Sequence, residues 1–272
     1  MKKIIGMASG QFGDLIINTV AIKWLKKLYP NCHFILGVSK KYSSIIPLFE
    51  NNYLIDGIHV YEGYDDFPTN NDLEYLNNEK FDMVFNPMPK HFYGSFYNHV
   101  HYTVAYSLIQ GLGYPDDLQC YLNPYFNKLD KYSNCIAISA FPSKSTQLDK
   151  TLSMEKWVEI VKFIKSIGYG VVQLGGEFDL QIDGAEKPEL SWLEAAQALY
   201  SSKLQITCDT SWSWVGSSYQ HNAIGLYGLN YPDMTHPWSH FPVNPNAKYL
   251  WRPKIDDIPL DEILYNIELK LK

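Results

Sequence analysis

Short apolar runs that close on glycine- or acid-bearing turns alternate with segments of helical spacing along the 272-residue chain, and this alternation limits the fold more than any other feature. Lys3-Ile4-Ile5-Gly6-Met7 reads as a buried strand ending in the turn at residues 10–13. Residues 15–29 then carry Leu15, Ile16, Val20, Ile22, Trp24, Leu25 and Leu28 at helical spacing. Pro30 stops that helix, because proline disfavours helical geometry in the residue before it. His33–Val38 reads as a second strand, a helix is expected around Ser43–Phe49, and Ile58–Tyr61 and Lys80–Asn86 read as further strands. Residues 88–127, rich in Tyr, His and Pro, give no regular reading.

A second series begins at Cys135–Ser139. Trp157–Ile167 is an amphipathic helix with Gly168 past its end, as C-terminal caps favour. Tyr169–Leu174 reads as a strand closed by Gly175-Gly176-Glu177, and Ser191–Leu199 as a helix opened by a Ser191/Glu194 capping box. Leu204–Cys208 is a strand, a short helix runs to about residue 218, Asn222–Tyr227 is another strand, and Asp261–Leu271 is a closing helix. Such alternation implies right-handed crossovers and parallel sheets, an α/β class. Two Rossmann-like domains are expected, 1–127 and 133–257, with the helix in 258–272 packing back on the first.

Composition narrows the function. The net charge of −6, without a dense Lys/Arg run, argues against holding nucleic acid by phosphate neutralisation. The N-terminal apolar run is too short for a signal peptide, and no stretch of about 18 apolar residues occurs. Cys32, Cys120, Cys135 and Cys208 form no CxxC pair, so buried thiols in a reducing, cytoplasmic setting are expected. His91, His99 and His101 do not share a helical face and lack clustered carboxylates; no metal site is expected. The pairs Asp65-Asp66, Asp116-Asp117 and Asp256-Asp257 are not a D-x-D triplet.

Three segments carry candidate chemistry, each at a strand-to-helix junction: Gly13-Asp14, the run Asp149–Trp157 around Lys150, and Cys208-Asp209-Thr210-Ser211. The glycines at 10 and 13 would let backbone approach a ligand at a helix N-terminus, although Asp14 reads equally well as a helix cap. The spacing is not the dinucleotide fingerprint G-x-G-x-x-G, which disfavours an NAD-dependent oxidoreductase. An isolated Lys150 would ordinarily be a solvated charge, and Asp209 alone a helix cap. Gly175, Gly176 and Glu177 lie where open α/β sheets hold nucleotides.

In order and spacing these segments resemble the heptosyltransferase-like glycosyltransferases of family 9, over residues 1–60 and 133–240. The resemblance implies a GT-B-like fold, two Rossmann-like domains facing across a cleft. It implies that Asp14, in its Gly13-Asp14 pair, is the base that deprotonates the acceptor hydroxyl. It implies that Lys150, helped by Lys144, Ser145 and Thr146, binds the donor diphosphate. The family pattern Asp-(Ser/Thr)-Gly-x-x-His is met by Asp209 and Thr210, whereas Ser211 replaces the glycine and Trp214 the histidine. Donor binding is accordingly expected at Asp209, Thr210, Ser211, Trp212 and Ser213, and at Gly175, Gly176 and Glu177. The implied activity is inverting, metal-independent transfer of a heptose or other sugar from a nucleoside-diphosphate donor, an ADP-sugar being favoured. The implied acceptor is a saccharide or glycan, as in lipopolysaccharide biosynthesis. No cofactor is expected, and peripheral contact with the inner membrane surface is compatible. The alternatives are a catalytically degenerate nucleotide- or sugar-binding protein, or a transferase acting on modified DNA.

Overall fold

A computed structural model describes residues 1–8, 11–63, 70–85, 100–122, 127–142, 150–228 and 240–272. The chain divides into two units, Met1–Pro124 and Tyr125–Lys272. Among the described residues no helix is long and apolar enough to cross a membrane.

The first unit contains β1 (Lys3–Ala8), α1 (Phe12–Leu28), β2 (His33–Ser39), a 3-10 segment (Lys40–Leu48), β3 (Gly57–Tyr61), α2 (Asn70–Glu79), β4 (Met83–Phe85) and α3 (Tyr102–Ile109). Its four strands are all parallel, in the order β3-β2-β1-β4. Ile4 and Ile5 of β1 are fully buried, as are Leu15, Ile16 and Val20 of α1, so burial of apolar faces between helix and sheet holds this layer together. The helix expected at 43–49 is a 3-10 segment instead, with Pro47 inside it. Proline cannot donate the backbone hydrogen bond that an α-helix would need there.

Residues 88–127 are not uniformly irregular: 102–109 form α3, which packs on α1. Its sequence, YTVAYSLI, is apolar nearly all round and only two turns long, so it shows no amphipathic period. His101 is its N-cap, the ring Nδ1 accepting from the Thr103 N–H at 3.3 Å. One of the three histidines weighed for metal binding is thus a helix cap, while His91 and His99 lie outside the described residues.

The second unit contains β5 (Cys135–Ser139), α4 (Met154–Ser166), β6 (Gly170–Gln173), α5 (Trp192–Ser201), β7 (Leu204–Thr207), α6 (Ser211–Ser218), β8 (Ala223–Tyr227), β9 (Ala247–Trp251) and α7 (Leu260–Leu271). The sheet is parallel in the order β6-β5-β7-β8-β9. Strand β9 escaped the sequence reading. It lies at the sheet edge, and of AKYLW only Leu250 is buried, so its apolar pattern is faint.

Gly168 follows α4 at φ +92, a left-handed conformation that explains a glycine there. The Ser191/Glu194 capping box forms as expected at the start of α5. Trp157, Ile160, Val161 and Ile164 of α4 join Ile136, Ile138, Leu204, Ile206 and Ile224 of the strands in one core. Ile263 and Ile267 of α7 are buried in that same core. The C-terminal helix, expected on the first unit, therefore packs against α4 and β8 of the second.

Both sheets reverse direction once. In the first, the chain runs β1-β2-β3 one way, then returns to place β4 on the far side of β1. In the second, β5 leads outward to β6, and the chain returns past it to β7, β8 and β9. With right-handed crossovers, the connections leaving β5 and β7 go to opposite faces of the second sheet, and the C-terminal edge between them is the place where open α/β sheets bind ligands.

Beyond the far end of α6, His221 Nε2 pairs with Ser202 Oγ at 3.1 Å, and the His221 carbonyl accepts from Asn244 Nδ2 at 2.8 Å. Burial, helped by Lys128, pushes the His221 pKa down to about 4. The unfolded chain binds this proton near pH 6.5, so between about 6.5 and 4 it binds more protons than the native state. Folding stability is therefore full above pH 6.5 and falls on acidification, by roughly 2 kcal/mol between pH 7 and pH 5. Urea midpoints at those two pH values should show the loss, and His221→Gln should remove most of it.

Candidate functional site

The candidate residues of the second unit gather at its strand-order reversal. Asp209 stands just beyond β7, and Lys150 lies at the end of the segment joining β5 to α4. Their side chains meet at 2.9 Å, Lys150 Nζ donating to Asp209 Oδ2, and are only 17% and 14% exposed. Burial alone would raise the Asp209 carboxyl, but Lys150 and the ring of His240 more than offset it and hold the group below the usual carboxylate range. Two residues almost 60 apart in sequence thus form an ionised pair at the strand-order reversal, where the topology favours a ligand.

The Lys150 side of the pair is anchored firmly. The Trp157 indole Nε1 donates to Thr151 Oγ1 at 3.0 Å, and Trp157 is fully buried. The Ser153 N–H, at the start of α4, donates to Asp256 Oδ1 at 2.8 Å, and Lys156 Nζ donates to the Ile258 carbonyl at 3.0 Å. Asp256, one of the adjacent acid pairs in the sequence, is therefore a helix-start anchor. Cys208 sits below, its thiol pushed up to about 12 by burial and so protonated. Trp157→Phe takes away the indole donor to the Thr151 hydroxyl and also leaves space in the core, because phenyl is smaller than the fully buried indole. Urea denaturation should show a stability loss larger than the roughly 1 kcal/mol of one such bond, because the cavity adds to it.

The Asp209 side continues into α6. Thr210 is its N-cap and lies 3.3 Å, oxygen to oxygen, from Thr207, which receives a hydrogen bond from Ser139 Oγ at 2.9 Å. Ser213 Oγ donates to the Thr210 carbonyl at 2.6 Å. Trp212 is buried and stacks on Trp192 of α5, with ring centroids 4.6 Å apart and planes at 20°. Ser211 is half-buried in the first turn. Trp214, standing where the resembled family has histidine, is buried among the core residues. An imidazole does act on Asp209 through its charge, that of His240, 31 positions downstream of the acid. No periodicity or motif around His240 marks it in the sequence. Tyr227, at the end of β8, is buried with its phenol pushed well up by burial and by the Asp209 charge.

Gly175, Gly176 and Glu177 form a turn after β6 that closes on Asp179. The Gly176 N–H donates to Asp179 Oδ2 at 2.8 Å, and a Cβ on Gly175 would lie 2.1 Å from that oxygen, so a larger residue there would displace the Asp179 carboxylate. Burial raises the Asp179 carboxyl, an effect eased by the Gly176 N–H and by Lys187. Glu177 is exposed. Lys144, Ser145 and Thr146 lie outside the described residues.

In the first unit, Gly13 and Asp14 occupy the first turn of α1, next to the reversal between β1 and β4. Asp14 Oδ2 accepts the Gln11 N–H at 2.6 Å, completing a capping box, and Oδ1 accepts the Tyr106 hydroxyl at 2.6 Å. The carboxylate is thus a helix cap and also the acceptor of a second, tertiary hydrogen bond. Among the described residues no group of three or more His, Cys, Asp or Glu could hold a metal ion. The acidic pair Asp116-Asp117 is engaged with Lys27 and Lys23.

No protein-family model matches the chain, and no curated protein matches it by sequence. Solved structures do match its fold. A family 9 glycosyl transferase from Veillonella parvula aligns at TM-score 0.76 and 17% identity, over 99% of this chain and 97% of that one. ADP-heptose lps heptosyltransferase II of E. coli aligns at TM-score 0.71 and 14% identity, over 100% and 98%. The E. coli heptosyltransferase WaaC, solved with ADP, aligns at TM-score 0.62 and 15% identity, over 99% and 100%. The α/β fold is that of these GT-B glycosyltransferases, and the likeness of fold covers nearly the whole chain.

Proposed function

We propose that the chain is a glycosyltransferase that moves a sugar from a nucleoside-diphosphate donor to a saccharide or glycan hydroxyl. The observation that carries this reading is the Lys150–Asp209 pair at the strand-order reversal of the second sheet. A buried ammonium has three donors in a compact charge, and beside a helix N-terminus it suits a diphosphate whose negative charge grows as the sugar leaves. Asp209 keeps Lys150 charged and aimed until the donor arrives. Backbone N–H groups at the start of α6, at Ser211 and Trp212, lie at the end of the helix that favours anions. Two of the structural neighbours are heptosyltransferases, one named for ADP-heptose and one solved with ADP. An ADP-sugar, heptose above all, is therefore the donor to try first.

The reaction would proceed with inversion. Asp14 accepts the proton of the acceptor hydroxyl, the acceptor oxygen forms its bond to the anomeric carbon, and the bond from that carbon to the diphosphate oxygen breaks. The nucleoside diphosphate leaves with the electron pair, its charge met by Lys150 rather than by a divalent cation. The setting is the cytoplasm or the inner face of a membrane, with surface glycan as product. A second reading, a protein that binds the nucleotide sugar without turnover, is favoured by Trp214, whose indole fills core space where the resembled family places an imidazole.

Release of nucleoside diphosphate from a panel of ADP-, UDP-, GDP- and CDP-sugars, with glycan acceptors and EDTA present, separates the two. Acceptor-dependent release from one donor in EDTA supports transfer. Binding of a donor without release under any acceptor moves the assignment to the binding reading.

A further inference from the structure

We propose that Tyr106 is a positioning residue for Asp14, fixing the carboxylate's rotation and holding it ionised; this rests on the reading of Asp14 as the acceptor base. A helix cap needs one carboxylate oxygen, and the Gln11 N–H uses Oδ2 at 2.6 Å. The bond from Tyr106 to Oδ1, also 2.6 Å, is more than a cap requires. Tyr106 is fully buried on α3, an element joined to α1 by a second polar contact one turn further along. There Gln110 Nε2 donates to Asn18 Oδ1 at 3.2 Å and to the Tyr106 carbonyl at 2.9 Å. Asp14 and Asn18 on α1, and Tyr106 on α3 and Gln110 at its C-cap, are each four apart, so the two pairs lie one above the other.

Two hydrogen bonds to a carboxylate favour its charged form, and two donors from different elements leave it one orientation. The carboxylate is then held in a fixed direction, as a base requires. The other titratable groups on the neighbouring elements have their own contacts. His101, the α3 cap, is tied to Thr103 at 2.8 Å. Tyr42 of the 3-10 segment meets Phe12 edge-on at 5.1 Å and carries Lys41 over its ring.

Tyr106→Phe tests this, because it removes one oxygen and keeps the ring. The expected result is a roughly 10-fold lower kcat with donor KM within 2-fold of wild type, and an acidic limb of the kcat profile moved about one pH unit higher. Combined with Asp14→Asn, it should add no further loss, since it acts through that carboxylate. An unmoved acidic limb, or a loss that adds in full to that of Asp14→Asn, overturns the inference and leaves Tyr106 a packing residue. If Tyr106→Phe does not fold, Gln110→Leu is expected to shift the limb the same way by a smaller amount, and no shift there is equally contrary. Should Asp14→Asn keep full activity, or the wild type transfer no sugar, the base assignment itself fails and the role of Tyr106 with it.

Discussion

Asp14→Asn is expected to lower sugar transfer by at least about 100-fold while donor affinity stays within a few-fold of wild type. The carboxylate is the group able to accept the acceptor's proton, and general-base catalysis is worth about 10²–10⁴ in rate. An amide occupies the same space but is not basic. The substitution also touches the fold, because Asp14 accepts from two donors, Gln11 N–H and Tyr106 hydroxyl. Asparagine has one oxygen to offer them, so one donor would face an NH₂ group. A stability loss of about 1–2 kcal/mol should accompany the rate loss, the range for a damaged cap. Rate and urea midpoint measured together distinguish the roles: a structural cap alone would give the second effect without the first.

The second large effect is expected at Lys150. Lys150→Met leaves Asp209 buried, with the partial compensation of His240. Breaking a buried pair by removing one member typically costs about 3 kcal/mol or more, because the other charge is left uncompensated. The sign with pH is informative. In the wild type the folded Asp209 pKa lies below its ordinary value, so the pair's contribution is present above that ordinary value and is lost as pH falls through the folded one. Without Lys150, burial is the larger influence and the folded pKa rises above the unfolded one. The deficit of Lys150→Met should therefore be largest at neutral pH and shrink as the solution is acidified. The double variant Lys150→Met/Asp209→Leu removes both charges and should recover most of the stability at pH 7. It should not recover donor binding. Urea midpoints of the three proteins at pH 7 and 5 check this, and a deficit independent of pH would contradict it.

Much of the fold was legible because buried strands and amphipathic helices write their periods plainly. The runs at 3–7, 135–139 and 222–227 are continuous apolar strands, and Trp157, Ile160, Val161 and Ile164 show the 3.6-residue repeat of a helix against a sheet. What escaped has a physical reason in each case. Helix α3 is too short and too uniformly apolar to show a face, and β9 has one buried residue out of five. The C-terminal helix showed its apolar stripe at Ile263 and Ile267, but a stripe does not say which core it enters.

The candidate residues divide the same way. Lys150 and Asp209 were readable as residues of strand-to-helix junctions, and the structure brings them to 2.9 Å. Tyr106 and His240 were not, because Tyr106 meets Asp14, and the charge of His240 acts on Asp209, by tertiary packing alone. Trp212 was read among the ligand-facing residues; its ring is buried on Trp192, which leaves its backbone N–H as the group that a phosphate could use. Gly175 and Gly176 were read as donor-binding residues at the end of a strand; a Cβ on Gly175 would meet the Asp179 carboxylate, whereas the space beside Gly176 is open.

Glycosyl transfer as proposed requires the second unit to hold a nucleoside diphosphate through Lys150 without a metal ion. Calorimetric titration of ADP, and in turn UDP, GDP and CDP, into the wild type and into Lys150→Met/Asp209→Leu, all in EDTA, tests that directly. The predicted result is saturable binding of one nucleotide to the wild type, lost in the charge-free double variant while that variant remains folded. Binding of none of the four to the wild type, or equal binding to both proteins, would contradict it.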